Sequence, residues 1–115
     1  MELKGKTAIV TGSGRGIGEG IAVVLAREGA NVVVNSRKPK DCEDVAQKLL
    51  SSGGKAIAFA ADVSKKNEVT AMAAETVKKF GAIDILVNNA GIEGTPCLTK
   101  DLSEEQWDRV LGVNL

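Results

Sequence analysis

The sequence predicts an α/β fold, a doubly wound parallel sheet with helices on both faces. Three observations carry that expectation. Short apolar runs alternate with longer segments of helical periodicity. Three consecutive valines, Val32, Val33 and Val34, mark a strand buried on both faces, as parallel sheets require. The apolar run Ala8-Ile9-Val10 passes directly into Thr11-Gly12-Ser13-Gly14-Arg15-Gly16-Ile17-Gly18 and then into a helical pattern.

The elements follow in order. Thr7 to Val10 reads as the first strand. Gly16 to Glu28 reads as the first helix, with Ile17, Ile21, Val24 and Leu25 on one face, and Gly29-Ala30 ends it. Asn31 to Val34 is the second strand. Asp41 to Leu50 is the second helix, aligned by Cys42, Val45, Ala46 and Leu49 and closed by Gly53-Gly54. Ala56 to Ala60 is the third strand. Val69, Met72, Ala73, Thr76, Val77 and Phe80 keep helical spacing through a third helix that Gly81 closes. Ile83 to Val87 is the fourth strand. Gly91 to Thr99 is the one long loop, and it follows a strand end, where open α/β sheets bind ligands. Ser103 and Gln106 form a capping box for a last helix carrying Trp107, Val110, Leu111 and Asn114 on one face.

The bulk numbers exclude several classes of function. The chain has 115 residues, enough for one domain at most. Its 15 basic and 15 acidic residues cancel, so no nucleic-acid footprint or membrane-surface patch is expected. Lys65-Lys66 and Lys78-Lys79 read as solvated helix faces. No apolar run approaches the roughly 20 residues that cross a bilayer. The N-terminus lacks the apolar core of a secretion signal, so a cytoplasmic location is expected. Cys42 and Cys97 are far apart and in no metal-like spacing; they read as reduced thiols, and no metal site is expected.

The glycine run carries the chemistry. Glycines permit a tight turn, close approach of a phosphate to backbone N–H groups, and close packing of helix on strand. The helix N-terminus adds a favourable field for an anion. No Gly-Lys-Ser/Thr follows, so the run is not a Walker A loop. A plain strand-to-helix turn is the competing reading.

The spacing Thr11-Gly12-x-x-x-Gly16-x-Gly18, with Gly14 extra, resembles the short-chain dehydrogenase/reductase family. Asn88-Asn89-Ala90-Gly91 is similar to that family's Asn-Asn-Ala-Gly motif. Asp62-Val63 resembles its adenine contact, and Asn114 its catalytic Asn. The nearest flavours are the bacterial 3-oxoacyl-carrier-protein reductase and glucose dehydrogenase types. The resemblance covers essentially the whole sequence. It implies the N-terminal half of a Rossmann-like sheet in the order 3-2-1-4. It also implies coenzyme contacts from Gly12, Ser13, Gly14, Arg15, Gly16, Ile17, Gly18, Asp62, Val63, Asn89, Ala90 and Gly91.

An enzyme that uses NAD places a carboxylate at the end of the second strand, to accept from the ribose 2′-hydroxyl. Here that position reads Asn35-Ser36-Arg37. Ser36 can donate to a 2′-phosphate, and Arg37 can pair with it or stack on adenine. The resemblance implies that Arg15 points to the same region, as in family members that prefer NADP, so NADP(H) is the expected coenzyme and NAD(H) the alternative. Arg37 as a plain surface residue beside Lys38 and Lys40 is the competing reading.

The resemblance implies a Tyr, with a Lys four residues later, as the proton-transfer pair. The 115 residues contain no Tyr and no His. A hydride added to a ketone needs a proton donor at the oxygen. The sequence is therefore expected to be the cofactor-binding N-terminal part of a longer oxidoreductase. The parent would interconvert a carbonyl and a secondary alcohol on a small molecule, as a homodimer or homotetramer. The part alone would be inactive. The alternatives are a non-catalytic dinucleotide-binding module and a non-functional remnant.

Overall fold

The computed structural model describes residues 3–89. In chain order these form β1 (Thr7–Val10), α1 (Gly16–Arg27), β2 (Asn31–Ser36), α2 (Pro39–Ser51), β3 (Lys55–Ala60), α3 (Lys66–Phe80) and β4 (Ile85–Val87). The strands make one parallel sheet in the order β3-β2-β1-β4, as expected. The last predicted helix, the loop from Gly91, Cys97 and Asn114 lie outside the described residues.

The valine run sits at the centre of the packing. Val33 pairs with Ile9 of β1 and with Ile57 of β3. Side chains alternate along a strand, so Val32 and Val34 join Val10, Ala22, Cys42, Val45 and Leu49 on the α1/α2 face. Val33 joins Ile9, Met72, Ala73 and Ile83 on the α3 face. All three valines are fully buried, each contributing about 1.5–3 kcal/mol of transfer free energy.

The first helix packs differently from the expectation. Its buried contact is Gly18 and Ala22, one turn apart. Ile17 and Val24 are 70% and 56% exposed, while Ile21 and Leu25 are half-buried against the core. The reason is distance. The helix lies so close to the strand end that only small residues fit the contact, and the larger apolar side chains flank it. On α3, Val69, Met72, Ala73 and Thr76 are buried as expected, but Val77 is exposed. The Thr76 hydroxyl is satisfied by donating to the Met72 carbonyl (2.8 Å).

Three strand limits also moved. β3 begins one residue earlier, at Lys55, which pairs with Asn31 of β2. β2 runs two residues further than its apolar stretch, because Asn35 and Ser36 pair with Phe59 and Ala60 of β3. β4 is shorter, beginning at Ile85. Just before it, the Asp84 carboxylate accepts the Thr7 N–H and the Asp84 N–H donates to the Thr7 carbonyl, both at 2.9 Å. Among the described residues, no helix is long and apolar enough to cross a membrane.

Candidate functional site

The carboxyl ends of β1, β2 and β3 meet around one cavity. Gly12, Gly14 and Arg15 line it from the glycine loop. Asn35, Ser36, Arg37, Lys38 and Asp41 line it from the β2 end and the start of α2, and Ala61, Asp62 and Val63 from the segment after β3. Seven residues that the sequence singled out therefore share one surface: Gly12, Gly14, Arg15, Ser36, Arg37, Asp62 and Val63.

The glycines here serve close approach. A Cβ on Gly18 would overlap the Gly12 carbonyl oxygen and come 2.7 Å from Asn89 Nδ2. Gly18 is what lets α1 start directly against the β1 end. A Cβ on Gly14 would lie 2.9 Å from both the Ser36 and the Asp41 Cβ atoms. The loop thus packs onto the end of β2 and the first turn of α2. No side chain caps α1. Among the described residues, no hydrogen bond engages the N–H groups of Gly14, Arg15, Gly16, Ile17 or Gly18. Unpaired N–H groups at a helix start are the donors that an anion uses.

Other expected contacts stand behind the cavity wall. Ser13 is fully buried. Its hydroxyl donates to the Val10 carbonyl (2.6 Å) and accepts the Asn35 N–H (2.9 Å). Asn89 is buried, and its amide donates to the Gly12 carbonyl (3.0 Å). These two side chains shape the loop from within. Ala90, Gly91 and Asn114 lie outside the described residues.

Asp62 is pinned at the far end. The Ser64 hydroxyl and N–H both donate to its Oδ1, at 2.6 and 2.9 Å. These bonds hold the carboxyl below its ordinary range, and the charges of Lys65 and Arg37 add to them, against a desolvation cost. The Asp62 N–H donates to Glu68 Oε1 (2.9 Å). A fixed, ionised carboxylate followed by a backbone N–H presents an acceptor–donor edge.

The rim between these two ends is charged. Arg15, Arg37 and Lys38 are exposed cations, set against the Asp41 and Asp62 carboxylates. The Ser36 hydroxyl donates to the Lys38 carbonyl (2.6 Å) and would have to turn to reach a ligand. Sequence reading missed Asn35, Lys38, Asp41 and Ala61 as lining residues. For Asn35 a signal existed, since a polar residue that continues a buried strand face must be fully hydrogen-bonded. Asp41 was assigned to the next helix, and it does sit in the first turn of α2. The contact to Gly14 that brings it to the cavity leaves no trace in local spacing.

Comparison with known proteins agrees with this geometry. A family model described as short chain dehydrogenase matches residues 6–115. Glucose 1-dehydrogenase 2 of Bacillus subtilis (strain 168) is 41% identical over 99% of this chain, which spans 45% of that relative's length. A metagenomic short-chain oxidoreductase solved in complex with NADP aligns with a TM-score of 0.75 at 36% identity, covering 100% of this chain and 52% of its own. A 7α-hydroxysteroid dehydrogenase solved with NADH and 7-oxo glycochenodeoxycholic acid aligns with a TM-score of 0.74 at 40% identity, covering 76% of this chain and 34% of its own. From the family model and the sheet order together, the chain belongs to the short-chain dehydrogenase/reductase family of oxidoreductases.

Proposed function

We propose that these 115 residues form the NADP(H)-binding domain of an oxidoreductase that interconverts a carbonyl and a secondary alcohol. The observation that carries this reading is the cavity itself. It joins the first open N–H groups of the glycine loop, those of Gly14 and Arg15, a pinned carboxylate edge and a rim of three cations. When bound, the coenzyme supplies the hydride. The chain's own residues bind and orient it. The N–H groups from Gly14 to Gly18 receive the pyrophosphate, in the field of the α1 N-terminus. The Asp62 carboxylate accepts from the adenine amino group, and the Val63 N–H donates to the ring. Arg15, Arg37 and a rotated Ser36 hydroxyl receive the 2′-phosphate.

We assign the proton transfer to the Tyr-x-x-x-Lys pair that the family resemblance implies, since none of the 115 residues is Tyr. The same absence favours a second reading, a dinucleotide-binding module without catalysis. The two separate on turnover: an oxidoreductase whose full reading frame supplies Tyr-x-x-x-Lys reduces ketones, and a module does not. For the full-length protein we place the work in the cytoplasm, on a small-molecule substrate, as a homodimer or homotetramer.

Calorimetric titration of the chain tests the coenzyme assignment. NADPH should bind about tenfold or more tightly than NADH, the order expected for charge-assisted bonds to an extra phosphate at an exposed rim. Arg37→Asp should erase the difference. Equal affinity for the two coenzymes overturns the NADP(H) preference, and no binding of either overturns the coenzyme reading.

A further inference from the structure

Asn35 is the most heavily bonded side chain at the cavity and is only 1% exposed. Its Oδ1 accepts the Gly12 N–H (3.1 Å). Its Nδ2 donates to the Phe59 carbonyl (3.1 Å) and to the Ala61 carbonyl (3.2 Å). Its main-chain carbonyl accepts the Ser13 N–H (2.7 Å). One amide therefore spans three strand ends and uses its acceptor and both donors at once. From the opposite side, Asn89 holds the Gly12 carbonyl. Gly12 is clamped between two buried asparagines.

The clamp sorts the donors of the loop. The N–H groups of Gly12 and Ser13 are consumed by Asn35, and those from Gly14 to Gly18 are left open. We propose that Asn35 is a positioning residue for the pyrophosphate. It acts through Gly12 and Ser13 to fix the path of the loop, so that the five open N–H groups converge on the ligand. This inference rests on the coenzyme reading above and deepens it.

Aspartate at this position separates positioning from bulk. It has the same shape and keeps an acceptor for Gly12. Its second oxygen, however, faces two carbonyls with no proton to offer, and a buried acceptor left against acceptors is costly. Ala61, which loses its bond to this side chain, adjoins the adenine end, but Asp62 keeps its own anchors in Ser64 and Glu68, so that end should move less than the loop.

The test compares Asn35→Asp with the wild-type chain for two ligands, at a temperature where circular dichroism shows both folded. Affinity for NADPH should fall by about tenfold or more, the loss expected when the carboxylate, repelled by the Phe59 and Ala61 carbonyls, no longer holds the Gly12 N–H in place. Affinity for adenosine 2′-monophosphate, which has no pyrophosphate, should stay within about threefold, since Asp62 keeps its bonds to Ser64 and Arg15 and Arg37 make no hydrogen bond with the altered side chain. Equal losses for both ligands, or an unchanged NADPH affinity, overturn the inference. A wild-type chain that binds neither ligand overturns the coenzyme reading instead. If Asn35→Asp does not fold, amide hydrogen exchange on the wild-type chain decides. The Gly12 and Ser13 N–H groups should be protected without ligand, and those from Gly14 to Gly18 only with NADPH. Unprotected Gly12 and Ser13 amides in the free chain overturn the clamp.

Discussion

The two ends of the parallel sheet are closed by different means. At the amino ends the main chain mostly closes on itself. The Leu3 N–H donates to the Glu28 carbonyl (2.9 Å), the Asn31 N–H to Lys6 (2.8 Å) and the Gly54 N–H to Leu49 (3.0 Å), and among the described residues Asp84 is the one side chain there that takes a strand N–H. At the carboxyl ends side chains do much of the closing. The buried Asn35 and Asn89 hold Gly12, the buried Ser13 hydroxyl holds Val10, and the exposed Ser64 holds Asp62. A main chain that satisfies itself leaves few donors over. Side chains can instead fix a loop from behind while its N–H groups stay open in front. That difference makes one end a closed floor and the other a binding surface.

Three glycines probe this difference: Gly14 and Gly18 at the carboxyl end are needed for space, and Gly53 at the amino end, like Gly16 in the loop, is needed for its dihedral. Gly18→Ala should therefore have the largest effect. Its methyl would meet backbone, which cannot swing aside, so about 3 kcal/mol of stability should be lost together with coenzyme binding. A urea melt and an NADPH titration check both. A Gly18→Ala chain of near wild-type stability would mean that α1 does not press on the β1 end.

The close approach explains what was legible in the sequence. The glycine run and the three valines announced the sheet, because turn chemistry and double burial are local signals. The buried face of α1 was misread for the same reason. The apolar spacing of Ile17, Ile21 and Val24 is regular, but the contact is made by Gly18 and Ala22, which carry almost no hydrophobic signal. At the site, Asp62, Ser36 and Arg37 were legible from their places after strands. Asn35 was seen only as a missing carboxylate, since its partners Gly12 and Ala61 are more than 20 residues away in sequence.

Gly14→Ala tests the carboxyl end more gently. Its methyl would meet the Ser36 and Asp41 side chains, which can give. A loss of about 1–2 kcal/mol is expected, with weaker NADPH binding in titration as the loop lifts off β2. Gly53→Ala is the amino-end counterpart. Gly53 has φ +90° and open space around it, so the cost is that of left-handed backbone alone, about 1 kcal/mol. NADPH affinity should be unchanged. A Gly53→Ala chain that loses coenzyme binding would break the division between the two ends.

The smallest expected effect is in acid. Asp62 is held below its ordinary range when folded. Its contribution to stability is complete above the unfolded value of about 3.9. That contribution is lost as pH falls through the lower folded value. Ser64→Ala should move the folded carboxyl up towards the ordinary value, followed by carboxyl carbon shifts in an acid titration. The acid-side loss of stability due to Asp62 should shrink accordingly. An unmoved titration would mean that Ser64 does not hold the carboxylate.

The most direct measurement is an amide shift map of the chain titrated with NADPH. The backbone amides from Gly14 to Gly18 and those of Asp62 and Val63 should move, while Leu3, Asn31, Gly53 and Gly54 at the opposite end stay still. Shifts that cluster at the amino ends, or a glycine loop that does not respond, would contradict the assignment of the carboxyl end as the coenzyme surface.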